Sequence, residues 1–158
     1  MTATAKPSMT DCLLDAFLNT DYLVHCGEQV VVVHVGQGHP ALDKQIDASS
    51  WAIITADNPG AIPASDASNL MGTQLLDEAI NKAGLKSLPT TARATKNAWP
   101  DEHGRLVIDP QSEWVHAMAR QLGQLGVVCG LRDGVAELWL LDDRMLSAGH
   151  AHVHQFSP

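Results

Sequence analysis

The sequence predicts an α+β domain of the α/β-sandwich kind: a mixed, largely antiparallel sheet of about six to seven strands with three main helices packed on it. Three observations carry that prediction. Short apolar runs such as VVVV and WAIITA are bounded by Gly, Pro, Asn and Asp. Two pairs of runs are joined by tight turns, at Gly27-Glu28 and at Arg132-Asp133-Gly134, and read as hairpins. Segments with apolar residues at helical spacing stand between these runs. A chain of 158 residues fits one domain, drawn here as 1–141, with 142–158 a polar, His-containing, flexible tail.

Taken in order, residues 9–19 place Leu13, Leu14, Phe17 and Leu18 on one helical face, with Thr10 as N-cap. Tyr22–Cys26 and Gln29–Val35 form the first hairpin. The valine run lacks alternation, which predicts a strand covered on both faces. Residues 36–50 are a polar connection with one short helical turn. Trp51–Ala56 is apolar throughout and predicts a central strand. Ser65 caps a helix to about Ala83, with Met71, Leu75, Leu76, Ala79, Ile80 and Ala83 as its buried stripe and Gly84 ending it. Residues 86–98 are a weak strand with a loop, and Arg105–Ile108 is a short strand. Asp109 as N-cap and Pro110 at the first position open the next helix, which Gly123 closes. Leu125–Leu131 and Val135–Leu141 make the closing hairpin.

Composition excludes several function classes. The net charge is −8 and the ten Lys and Arg are scattered, which excludes broad phosphate-backbone contact and so a nucleic-acid partner. The longest apolar run is far short of a membrane span. The N-terminal twenty residues lack the apolar stretch of a secretory signal. With three widely spaced cysteines and no CxxC, these features predict a cytoplasmic protein in a reducing compartment. GxGxxG, GxSxG, HExxH and the Walker loop are absent, and GQGH at 36–39 lacks the third glycine. No cofactor is indicated.

Candidate site residues cluster at the end of the central strand, in ITADNPGAIPASDASN. Loops there feed helix N-termini, where small molecules bind in α/β proteins. Thr55, Asn58, Ser65 and Asn69 are the ligand-binding candidates, suited to a small anionic or amide-bearing molecule or a peptide terminus. Turn and cap chemistry explains the same residues. Asp57 is a candidate base. The segment AWPDEHGR adds Asp101 and Glu102 as acid–base candidates beside His103 in a loop, and Trp99 as a stacking or core residue. Gln124 could reach the site or cap its helix. The alternating His150, His152 and His154 are weak metal candidates; no metal is called for. His34, inside the valine run, reads as a hydrogen-bonded core histidine.

Thr55-Ala56-Asp57-Asn58-Pro59, Ser65 with Asn69, Trp99 to Glu102, and Leu122-Gly123-Gln124 in this order resemble the bacterial domain of unknown function 3293, from about Asn19 to Leu141. Asp57 stands where that family's pattern has an aromatic or bulky residue, and the helix start SNLMGTQ lacks its Arg. The resemblance implies a shared polar site and no particular reaction. Two main functions are therefore expected as alternatives: a ligand-binding domain at the TADNP loop, or a hydrolytic enzyme using Asp101 or Glu102. A third is a protein-interaction or homo-oligomerising module.

Overall fold

The computed structural model describes residues 9–96, 98–141 and 152–156. In chain order the elements are α1 (Met9–Leu18), β1 (Thr20–Cys26), β2 (Gln29–Val33), α2 (Pro40–Gln45), β3 (Ser50–Thr55), a 3-10 turn (Pro59–Ala61), α3 (Asp66–Lys82), β4 (Lys86–Ala94), β5 (Glu102–Ile108), α4 (Ser112–Gln121), β6 (Gly126–Leu131), β7 (Glu137–Leu140) and β8 (Val153–Gln155). The strands form a single sheet in the order β2-β1-β4-β5-β3-β6-β7-β8. All neighbours are antiparallel except β7 and β8.

The sheet is the middle layer of a sandwich. Side chains alternate along β3, so Trp51 and Ile53 point to one face and Ala52 and Ile54 to the other. Trp51 and Ile53 join Leu14 of α1 and Leu42 of α2 in one core. Ala52 and Ile54 join Leu76 and Ile80 of α3 and Val115 and Met118 of α4 in the second. We call these the α1 face and the α3 face. Coverage on both sides explains why the WAII run has no polar residue. Among the described residues no helix is long and apolar enough to cross a membrane.

The fold class is the expected one, and the differences in detail have physical causes. The sheet has eight strands rather than six or seven, and α2 adds a fourth helix. Inside the segment expected to be a flexible tail, Val153–Gln155 extend the sheet beside β7. The valine run does alternate: Val31 and Val33 are buried, while Val30 and Val32 are 53% and 54% exposed. β2 is an edge strand, and α3 and α4 lie over β3, β4 and β5, too far away to cover its second face.

Three helix readings shift as well. Thr10 lies inside α1, so it is not an N-cap. Met71 is 69% exposed, because α3 turns Gly72, Leu76 and Ile80 inward instead. Gly72 sits so close to β3 that a Cβ there would lie 2.6 Å from the Ala56 carbonyl oxygen. α4 begins at Ser112 with Gln111 at the N-cap. Asp109 uses its side chain elsewhere, accepting from the backbone N–H of Ser49 and Ser50, each at 2.8 Å.

Candidate functional site

β3 ends at Thr55, and the chain then turns sharply. Asn58 takes the left-handed conformation (φ 51°, ψ 63°), which Asn tolerates better than other residues bearing a Cβ. The turn leans on the end of α4: Gly60 N–H donates to Gly123 O at 2.7 Å, and a Cβ on Gly123 would sit 2.9 Å from Pro59 Cβ. This contact delivers Gln124 to the strand end. Its Nε2 donates to Asp57 O at 2.9 Å, and its Oε1 accepts from Thr55 Oγ1 at 2.8 Å.

Asn58 and Asp57 are each only 4% exposed, but they serve different faces. Asn58 Oδ1 accepts from Ala64 N at 2.9 Å and from Asn69 Nδ2 at 3.2 Å, and Asn69 Oδ1 accepts from Asn58 N at 2.9 Å. Asn58 Nδ2 donates to Glu102 Oε1 at 3.2 Å, and Trp99 Nε1 donates to the same oxygen at 2.8 Å. Asp57 instead turns to the α3 face. Its Oδ2 accepts from the backbone N–H of His103 at 2.7 Å and lies 3.1 Å from His103 Nδ1.

Pairing across the sheet explains the division. Tyr22 pairs with Ala92, and Ala92 with Glu102, so the three form one row on β1, β4 and β5. That row lies on the α1 face, while the next residue, His103, points to the other. Glu102 and His103 are strand residues, not loop residues, which is why neighbours in sequence do not share a site. Asp101 forms an exposed ion pair with Arg93 at 2.9 Å, and that hydrogen bond holds its carboxyl below the usual range.

A cavity of about 430 Å³ opens on the α1 face. Leu13 and Phe17 of α1 bound it on one side, with Ile53, Ala92 and Val128 of the sheet on the other. At its polar end stand Thr55, Asn58, Trp99, Glu102 and Gln124, and Asp15 and Lys96 also border it. Burial pushes the Glu102 carboxyl up; the bonds from Trp99 and Asn58 offset part of that rise, and the Asp57 charge adds to it. Tyr22, 3% exposed, also borders the cavity. Its phenol is pushed up by burial and then by the Glu102 charge.

The structure therefore brings Thr55, Asn58, Trp99, Glu102 and Gln124 together, with Asn69 behind them as a support for Asn58. Ser65 caps α3, accepting from Ser68 N at 3.1 Å, and borders neither this cavity nor the one on the α3 face. Asp57 and Asp101 border that second cavity, with His103. His150 lies outside the described residues. His152 Nδ1 and His154 Nε2 approach Glu137 Oε1 at 4.0 and 3.3 Å. Among the described residues no group of three or more His, Cys, Asp or Glu could hold a metal. His34 is half-buried and donates from Nδ1 to Val35 O at 3.1 Å.

Sequence reasoning missed Tyr22 and the contribution of α1. Alternation in TDYLVHC, with Tyr22 and Val24 on one face, is the signal that could have found Tyr22. It also missed the buried pair His39 and Asp43, 3.1 Å apart, whose i,i+4 spacing in HPALD is legible. Asp43 Oδ2 accepts from Asp133 N at 3.1 Å, which ties α2 to the turn before β7.

These features define an α+β domain with a mostly antiparallel central sheet and a cavity whose polar end is a carboxylate. Residues 54–127 match the model of the family described as "Protein of unknown function (DUF3293)", the family the sequence resembles. The matched span holds the whole polar end of the cavity and leaves out α1 and β1, which supply its other wall. No curated protein and no solved structure matches the chain.

Proposed function

We propose that the chain is a ligand-binding domain that holds a small molecule, or a side chain of a peptide, in the α1-face cavity. The apolar part of the ligand rests between α1 and the sheet. Its polar head, an amide or amine rather than an anion, meets Glu102.

The observation that carries this reading is the Glu102 carboxylate. Burying a charged group costs free energy unless partners compensate it. Both of its donors among the described residues converge on Oε1. No hydrogen bond between described residues reaches Oε2. A half-buried carboxyl at the polar end of a cavity of about 430 Å³ is the arrangement expected of a site. The helix N-terminus at Ser65 is not part of it, which removes the main support for an anionic ligand.

A second reading uses the same carboxyl as the general acid or base of a hydrolase, since a raised carboxyl suits that task near neutral pH. It needs an activated nucleophile or a positioned water beside Glu102.

The test is a thermal-shift screen of amides, amines, amino acids, short peptides and carboxylates. Beside the parent stands Ala94→Phe, which fills the cavity from β4. A ligand at about 100 times its dissociation constant adds about 2.7 kcal/mol, or roughly 5–10 °C here. The expected result is a shift in the parent that Ala94→Phe loses. A shift of equal size in both chains would place the ligand elsewhere and sink the proposal. Consumption of an amide or ester by the parent, lost in Glu102→Gln, would carry the second reading instead.

A further inference from the structure

We infer that the ligand's head is a protonated amine. The inference rests on the binding reading above and adds the charge of what is bound.

The side-chain donors around the cavity are largely used within the protein. Thr55 Oγ1 donates to Gln124 Oε1 at 2.8 Å, and Gln124 Nε2 donates to Asp57 O at 2.9 Å. Thr20 Oγ1 donates to Ala16 O at 2.6 Å, and Asn19 Nδ2 to Asp15 O at 2.8 Å. Trp99 Nε1 and Asn58 Nδ2 both donate to Glu102 Oε1.

The amides of Asn19, Asn58 and Gln124 each keep a second N–H, and the charged group that remains at the polar end is an acceptor. A hydroxyl that has given its hydrogen has only lone pairs left, so Thr20 and Thr55 are acceptors. Glu102 Oε2 is an acceptor, and Asp15, an exposed residue, also borders the space. The Tyr22 hydroxyl makes no hydrogen bond to a described residue, and it can donate as well as accept.

A carboxylate oxygen without a partner among the described residues selects a head made of donors. An ammonium group has three donors and no acceptor, and it brings the charge that a half-buried carboxylate lacks. A carboxylate head would face Glu102 and Asp15 with like charge. Among the described residues Lys96 is the cation that borders the cavity, and it is exposed.

The experiment uses the full chain and three probes of one shape: phenethylamine, phenethyl alcohol and hydrocinnamate, titrated by ligand-observed NMR. The amine should bind about tenfold or more tighter than the alcohol, because a charge-assisted bond to a half-buried group is lost with the charge. The carboxylate should bind weakest. Glu102→Gln should bring the amine down to the level of the alcohol; the Gln carbonyl still accepts from Trp99 and Asn58. Lys96→Ala should leave the order of the three probes intact, or tighten the amine. If Glu102→Gln does not fold, the order in the parent and in Lys96→Ala decides.

Equal binding of amine and alcohol overturns the inference and leaves the cavity reading standing. So does a preference for the carboxylate that Lys96→Ala abolishes. Binding of none of the three, or equal binding to Ala94→Phe, overturns both.

Discussion

Where β3 ends and β5 begins two carboxylates lie back to back, one on each face of the sheet: Asp57 is buried and Glu102 half-buried. On the α3 face, beside the second cavity, one oxygen of Asp57 accepts from the backbone N–H of His103 and lies 3.1 Å from its ring Nδ1, which fastens the loop after β3 to the start of β5. On the α1 face, Glu102 has two donors on one oxygen and open space beside it. Both are acidic residues in a dense polar segment. They differ in their donors: a backbone N–H of β5 holds Asp57, and two side chains, Trp99 and Asn58, hold Glu102. Asp57 reads as a structural staple and Glu102 as a site, and the two roles separate at single positions.

The largest expected effect lies where the two faces share a backbone. Gly104, between His103 and Arg105, has no room for a Cβ, which would run into the Ile54 carbonyl oxygen and lie 2.8 Å from Thr55 Cα. Gly104→Ala must push β5 away from β3 and disturb both carboxylates together. We expect a loss of about 3 kcal/mol, read by urea unfolding. A loss below about 1 kcal/mol would show that the strands can move apart and that the two faces are less tightly joined.

Asp57→Ala comes next. It leaves the His103 backbone N–H without its partner, at a cost of about 2 kcal/mol. On the view of Asp57 as a staple, whatever remains folded should bind the amine probe with unchanged affinity. A large loss of binding with little loss of stability would reverse the two roles.

The sequence made the strand end legible but not its two-sidedness. WAIITA is apolar throughout because both faces are covered, and its turn residues, with Gln124, were recognisable. The side on which each residue stands depends on where β5 begins. Glu102-His103-Gly104 contains no strong strand former. It is a strand because Gly104 fits against β3 and because Asp57 holds His103 N–H in place. Those are long-range facts, invisible in a local pattern. The same holds for α3, where the approach of Gly72 to Ala56 sets which face turns inward, against the simple reading of Met71 and Leu75. β2 misled for another reason: a run of valines looks the same at the edge of a sheet as at its centre, and only the strand order tells them apart.

A smaller effect sharpens the comparison through pH. Burial holds Glu102 above its ordinary value of 4.5. Between 4.5 and that raised value the folded chain keeps a proton that the unfolded chain has released. The contribution of Glu102 is thus fully present below 4.5 and is lost as pH rises through the folded value. The groups acting on it are Asp57, Trp99 and Asn58, none of which Glu102→Gln removes. Without ligand, Glu102→Gln should therefore be more stable than the parent at pH 7, by about 2–4 °C in Tm. The gain should shrink toward pH 4. Melting curves across this range check it, and a variant less stable than the parent at every pH would mean that the Glu102 charge supports the fold.

The smallest effect tests the other face. The His103 side chain is 65% exposed, so its ring contact with Asp57 is screened by solvent. The backbone N–H of His103, at 2.7 Å, stays on Asp57 whatever side chain follows. His103→Gln should then cost at most about 0.5 kcal/mol and leave amine binding unchanged. The value of this variant lies in its contrast with Asp57→Ala. If the staple is made by the backbone bond, removing the carboxylate is costly and removing the ring is not. If both substitutions cost the same, the ring carries the contact, and the Asp57–His103 pair becomes a second arrangement to test for chemistry on the α3 face.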